Sequence, residues 1–160
     1  MIGRRLTLRD VPGVSVSILR HAAALLTRSY QRTVGALAVI RDDDGRVLLV
    51  RTAYPPRLWN LPGGRLERGE TPGGGLRREV REETGLDVAV GDLLLVHVRA
   101  AAVSFVFDCR IIGGRPEPGA GEIRALRWVS PDQIEQLSAP VRLTLRAALG
   151  AIGDRPRHLF

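Results

Sequence analysis

A chain of 160 residues and 17.5 kDa has the length of one domain. With 44% hydrophobic and 26% charged residues and a mean hydropathy near zero, it is neither disordered nor collagen-like nor a coiled coil. Cys109 is the single cysteine, which excludes an internal disulfide framework and fits a reducing compartment. The 24 basic residues are all Arg and outnumber 17 acidic ones, so the formal net charge is +7 and anionic partners are favoured. These Arg residues are scattered from Arg4 to Arg157 and aromatic residues make up 4%, which argues against nucleic acid; a small phosphorylated ligand is compatible, and so is a solvated surface on which Arg simply replaces Lys. The longest run without a charged residue or His, Val11 to Leu19, is far short of the roughly 20 residues of a membrane helix. Asp10, Pro12 and Arg20 interrupt any secretory core behind Arg4, Arg5 and Arg9, so a cytoplasmic protein is expected.

Residues 14–31 place Ile18, Leu19, Ala22, Leu25 and Leu26 at helical spacing, with Arg20 and Arg28 off that stripe. An amphipathic helix is expected within an N-terminal extension, residues 1–32, ahead of a domain spanning 33–160. Its apolar stripe suits packing on the sheet, on a second subunit in a homodimer, or against a membrane surface. From Thr33 the pattern changes to VGALAVI, a turn at Asp42-Asp43-Asp44-Gly45, and RVLLVRT, which reads as two strands. The three aspartates read as solvated turn formers rather than metal ligands. LWNLPGG then predicts one short strand closing on glycines.

Asp87 to Val98 and Val103 to Ile112 read as strands. Val103, Phe105, Phe107, Cys109 and Ile111 alternate onto one face, where Cys109 packs as a small apolar side chain. Residues 113–121, GGRPEPGAG, form a loop, and a short strand ends at Trp128-Val129. Ser130, Pro131 and Gln133 spell a capping box that opens a helix, and a second helix is predicted from about Pro140 to Leu149, ending at Gly150. Strands mixed with helices and no internal repeat indicate an α/β or α+β domain.

The chemistry is concentrated in residues 64–86, GRLERGETPGGGLRREVREETGL. Thr71 can cap a helix with Pro72 in its first position and Gly85 at its end, so Leu76 to Thr84 should be helical. Helical spacing puts Glu79, Glu82 and Glu83 on one face and turns Leu76 and Val80 to the core. The like-charged pair Glu79 and Glu83 costs a few tenths of a kcal/mol, and each glycine at 73–75 is roughly 1 kcal/mol poorer than Ala inside a helix. A divalent cation would relieve the repulsion, and hard oxygen donors suit Mg²⁺ or Mn²⁺. A solvated face balanced by Arg78 and Arg81 would leave the glutamates without such a role.

Gly64, Glu70, Arg78, Glu79, Val80, Glu82, Glu83, Gly85 and Leu86 fill every defined position of the Nudix box. From composition frequencies such a match arises by chance on the order of 10⁻⁷ of the time. The chain therefore resembles the Nudix hydrolase (MutT-like) family over about residues 33–138, with LWNLPGG and EIRALRWVSPDQI similar to the family's flanking segments. The resemblance implies an α/β/α sandwich around a mixed β-sheet, here with an extra N-terminal amphipathic helix. It also implies divalent-metal-dependent hydrolysis of a nucleoside diphosphate linked to another moiety, by water attack on phosphorus, in a nucleotide pyrophosphatase. A catalytically silent nucleotide-binding or regulatory module is the alternative, which degenerate box acids would have favoured. The run Gly73-Gly74-Gly75 departs from relatives that begin the helix with Glu and Ala. Ala at Gly74 and Gly75 is expected to stabilise the fold by up to about 1 to 2 kcal/mol if their dihedrals are helical.

By box position, the resemblance makes Glu79, Glu82 and Glu83 metal ligands, with Glu82 or Glu83 also able to take a proton from water. Arg78, at i,i+4, faces Glu82 and can orient it. Glu70 either meets a second ion or hydrogen-bonds backbone amides. Gly63 and Gly64 either admit the backbone close to the metal site or adopt dihedrals closed to other residues. Glu122, in an EIxxxxW segment, is a further ligand or base, or a surface carboxylate. Trp59 can stack on a base or fill the core, and Arg51, Arg57 and Arg65 are candidates for substrate phosphates. His21, His97 and His158 are paired with no Ser or Cys nucleophile. The segment Ala100-Ala101-Ala102-Val103-Ser104 carries neither the Pro nor the Tyr of relatives selective for ADP-ribose or dinucleoside polyphosphates.

Overall fold

The computed structural model describes residues 33–99 and 102–153. Strands β1 (Thr33–Ile40) and β2 (Val47–Thr52) flank a turn that Asp42 organises. One Asp42 oxygen accepts the backbone N–H groups of Asp44 (3.1 Å) and Arg46 (2.8 Å), and the other accepts Arg46 Nε at 2.7 Å. Asp42 and Asp44 are committed to turn and ion-pair geometry.

LWNLPGG supplies two strands rather than one, β3 (Trp59–Asn60) and β4 (Gly63–Arg65). They belong to different sheets. The first sheet has the order β4-β1-β6-β5 and the second β3-β2-β7, where β5 is Leu86–Arg99, β6 Ala102–Gly114 and β7 Ile123–Val129. Strands β1 and β6 run parallel and every other pair is antiparallel. Between β3 and β4 the chain crosses from one sheet to the other, burying Leu61, and Pro62 O accepts Ala38 N–H at 2.8 Å.

Period-two alternation sorts each strand onto two helical layers. Ala36, Ala38, Ile40 and Leu48 face helix α1 (Pro72–Thr84), where they meet Leu76, Val80 and Cys109. Val39, Val47, Leu49, Leu61 and Val129 face helix α2 (Ala139–Gly153), where they meet Val141, Leu145 and Ala148. The architecture is an α/β/α sandwich, as the sequence predicts. Of the residues expected to share a face of β6, Phe107, Cys109 and Ile111 lie together on the α1 side, and Val106, fully buried, belongs to the α2 side. A sheet covered on both faces buries both sets of alternating residues.

The segment after Ser130 is a 3₁₀ helix, Pro131–Gln136, in which Gln133 Oε1 accepts Ser130 N–H at 3.4 Å. Helix α2 runs past Gly150 to Gly153, because Leu149 and Ile152 on either side of the glycine still pack on the core. The expected amphipathic helix of residues 14–31 lies outside the described residues. Among those residues no helix is long and apolar enough to cross a membrane.

Candidate active site

Helix α1 begins at Pro72, so its three glycines are inside it. Thr71 Oγ1 caps it by accepting Gly74 N–H at 3.1 Å, and Gly85 closes it in the left-handed region with φ of 70°, donating to Arg81 O. The expectation that alanine improves this turn is corrected at Gly75. A Cβ there would lie 2.6 Å from Leu66 Cδ2 and 2.7 Å from Glu70 Oε2. At Gly74 it would press on the capping hydroxyl at 3.0 Å, whereas at Gly73 its nearest neighbour is Val90 Cγ1 at 3.8 Å. Gly75 lets Leu66 and Glu70 lie directly against the helix.

That close approach places Glu70 beside Arg78. Arg78 Nε donates to Glu70 Oε1 at 2.8 Å and its Nη2 to Glu70 Oε2 at 3.0 Å, a two-pronged pair. The remaining nitrogen, Nη1, donates to Glu79 Oε1 at 3.0 Å and Glu82 Oε2 at 3.1 Å. One guanidinium therefore holds three carboxylates. Glu70 Oε2 also accepts Glu67 N–H at 2.7 Å. The Arg78 guanidinium, followed by that amide, lowers the Glu70 carboxyl to about 2.

On the other side, β4 touches the acids with its backbone. Gly63 N–H donates to Glu83 Oε2 at 2.8 Å, and a Cβ on Gly64 would lie 2.7 Å from the Glu79 carboxyl. Gly63 itself sits at φ of 126°, where a Cβ would meet Ala36 O at 2.2 Å, so only glycine fits.

The loop after β6 returns over the end of α1. Glu117 N–H donates to Thr84 O and Gly119 N–H to Glu83 O, both at 2.9 Å, satisfying carbonyls that a helix end leaves unpaired. A Cβ on Gly119 would be 1.9 Å from Glu82 O, so the contact requires glycine. Glu122 O accepts Ala53 N–H at 2.8 Å, which pins the loop to the end of β2. Glu79, Glu82, Glu83 and Glu122 consequently line one cavity of about 350 Å³, together with Gly119 and Ala120.

Burial, first of all, pushes the Glu79 carboxyl up. Glu83 is pushed up to about 7, by burial and then by the charges of Glu79, Glu122 and Glu82, against the Gly63 N–H that lowers it. As placed, the four carboxylates do not close on a common point: among the described residues no three His, Cys, Asp or Glu side chains form a ready cage. Arg78 and Gly63 hold three of the four from outside. The donor set, hard oxygens crowded in a half-buried cavity, fits a divalent cation of the Mg²⁺ or Mn²⁺ type.

The arginine candidates are not gathered at this cavity. Arg65 borders a neighbouring one with Arg68 and Arg78, and its carbonyl accepts Arg78 Nη2 at 3.4 Å. Arg51, Arg57 and Trp59 line a third, of about 290 Å³, with Arg51 Cζ 5.8 Å from the centre of the Trp59 ring. Arg127, Gln133 and Gln136 join them there; the sequence marks Gln133 only as a capping residue and does not mark the other two as site residues. The signal for Arg127 is the alternation of β7: it pairs with Leu49, two residues from the buried Val129 on the α2 side. Trp59 also borders an adjoining cavity of about 340 Å³ with Asn60, His97, Ser104 and Thr144. His97 Nδ1 lies 3.3 Å from Thr144 Oγ1, while His21 and His158 fall outside the described residues.

A family profile described as NUDIX domain matches residues 31–148. A MutT-like protein of Streptomyces ambofaciens is 38% identical over 128 residues, covering 78% of this chain and 82% of that protein. A CTP pyrophosphohydrolase of Escherichia coli is 30% identical over 127 residues, covering 76% of this chain and 94% of that protein. The crystal structure of a UDP-X diphosphatase superposes with a TM-score of 0.69 at 24% identity, covering 94% of this chain and 77% of that one, a likeness of fold.

Proposed function

The chain belongs to the NUDIX family and is a Nudix pyrophosphohydrolase, and from that premise we propose that it hydrolyses a nucleoside diphosphate linked to another moiety, using a divalent metal in the four-glutamate cavity. One observation carries the reading: Glu122, about 40 residues beyond the box, lines the same cavity as Glu79, Glu82 and Glu83. Glu79, Glu82 and Glu83 would hold the metal, with Mg²⁺ as the ion and Mn²⁺ as a substitute. When bound, it supplies neutralisation of the diphosphate charge, polarisation of the phosphoryl group and acidification of water.

The protein's own residues do the rest. Arg78 keeps Glu79 and Glu82 in fixed rotamers and Glu70 keeps Arg78 in place, so Glu70 is a positioning residue. Gly63 orients Glu83 through its N–H, and Gly85 ends the helix where the loop of Gly119 can dock. Glu82, Glu83 or Glu122 takes the proton as the water oxygen bonds to phosphorus. The bridging P–O bond breaks and the other phosphate leaves with the bridging oxygen.

Substrate contacts fall to Gly64 and Arg65 near the acids and to Trp59, Arg51 and Arg57 further out. Asn60, which lines the cavity at Trp59, and Gly63, whose N–H meets Glu83, are three residues apart, at most roughly 11 Å of chain. A nucleoside diphosphate spans that distance, with its base against Trp59.

The test is a hydrolysis screen of nucleoside triphosphates, nucleotide sugars, ADP-ribose and dinucleoside polyphosphates, run with Mg²⁺ and with EDTA. Turnover in Mg²⁺ and none in EDTA is expected. Binding without turnover on every substrate would leave a silent nucleotide-binding module instead.

A further inference from the structure

We propose that Arg51, Arg57 and Arg127 form a separate anion site that binds a phosphate group other than the pyrophosphate held at the glutamates. The three guanidinium-bearing residues line one cavity of about 290 Å³ into which no Asp or Glu projects among the described residues. Arg46, Arg78, Arg81 and Arg146 are each paired with a carboxylate, whereas Arg51, Arg57 and Arg127 share one cavity whose lining holds no acid. Here three positive charges share a concavity and repel one another, a cost that an anion would remove.

The cavity is also built rather than incidental. Arg51 Nε donates to Arg57 O at 3.1 Å and Arg57 Nε to Ala53 O at 3.2 Å, so both side chains are tethered by Nε with their terminal nitrogens left for a ligand. Arg57 sits at φ of 51°, a left-handed conformation that costs a residue with a Cβ about 1 kcal/mol or more, and its N–H is held by Tyr54 O at 3.0 Å. The indole of Trp59 fixes Arg51 from one side. Gln133 and Gln136 add amide donors at the rim. Three guanidinium forks in one cavity suit a multiply charged oxyanion such as phosphate.

The site shares no lining residue with the acidic cavity, so its ligand is not the metal-bound pyrophosphate. Two sources supply the chemistry: a further phosphate carried by the substrate, or free phosphate. The binding claim stands apart from turnover, and its test is made without metal. Inorganic phosphate is titrated into the protein in EDTA at low ionic strength, followed by calorimetry and tryptophan emission, with wild type, Arg127→Gln, Arg127→Lys and Glu83→Gln.

Saturable binding is expected, weakened at least tenfold by Arg127→Gln, mostly recovered by Arg127→Lys, and unchanged in Glu83→Gln. Thermal melts confirm that the exposed substitutions leave the fold intact. Equal binding by wild type and Arg127→Gln, or loss in Glu83→Gln alone, would overturn the site. Steady-state rates with Mg²⁺ then separate the sources. A higher KM at constant kcat in Arg127→Gln marks a phosphate on the substrate. A wild-type rate that responds to added phosphate, and a variant rate that does not, marks free phosphate.

Discussion

Helices α1 and α2 cover opposite faces of the same sheets and are built on different terms. Helix α2 docks by burial: Val141, Leu145 and Ala148 enter the core, and Leu149 and Ile152 extend the contact past Gly150. Helix α1 buries Leu76, Val80 and Thr84, the last with its hydroxyl donating to Val80 O at 2.6 Å, and gives its remaining length to glycines and ion pairs. Helix α1 obeys the capping rules at both ends and breaks the interior ones, with three glycines and a like-charged pair. Its Gly75 meets Glu70, and from outside the helix Gly64 meets the Glu79 carboxyl and Gly119 the Glu82 carbonyl. A helix whose sequence opposes its own stability is held by its neighbours, and that is where chemistry is found.

The largest effect should come from the packing helix. Leu145→Ala, at a fully buried position, is expected to cost about 2 to 5 kcal/mol by cavity formation. Denaturant midpoints measure it, and a loss below 1 kcal/mol would mean that α2 is not what closes that core.

On α1 the order inverts, with function lost and fold kept. Glu82→Gln and Glu83→Gln should each lower turnover by about a hundredfold or more, since each removes charge from the face proposed to hold the metal. Melting should survive, because like-charge repulsion is relieved. Near-normal rates in both variants would remove the helix from the active site.

Glu122→Gln should lower turnover at least tenfold, about 1.4 kcal/mol, with melting unchanged. Raised Mg²⁺ would partly restore a ligand variant and leave a base variant slow. Wild-type kinetics at every metal concentration would make Glu122 surface.

Within the first turn of α1, two glycines should respond with opposite sign. Gly73→Ala should stabilise by up to about 1 kcal/mol, because its Cβ meets only an ordinary contact. Gly75→Ala should destabilise, because its Cβ presses on Leu66 and Glu70. Thermal melts of the two single variants settle it, and stabilisation by both would mean that segment 66–70 yields freely.

The smallest effect is acid-dependent. The Glu70 carboxyl is depressed to about 2 by Arg78, so its contribution is present above the ordinary carboxylate value near 4.5 and fades as pH falls toward 2. The melting difference between wild type and Glu70→Gln should shrink across that window. A constant difference would detach Glu70 from Arg78.

Local chemistry made much of the molecule legible in its sequence. Thr71, Pro72 and Gly85 delimit α1, apolar runs either side of an Asp-Gly turn mark β1 and β2, alternation marks β6, and 3.6-residue spacing puts Glu79, Glu82 and Glu83 on one face. These are short-range consequences of backbone geometry and need no partner. What tertiary structure decided involves residues far apart in the chain. LWNLPGG divides between two sheets because β1 and β2 offer separate edges, and β6 buries both faces because a helix lies on each. Glu122 reaches the glutamates because the loop's amides satisfy carbonyls at the end of α1. Arg127 meets Arg51 and Arg57 through the pairing of β7 with β2, a long-range hydrogen-bond register that spacing along one segment does not encode.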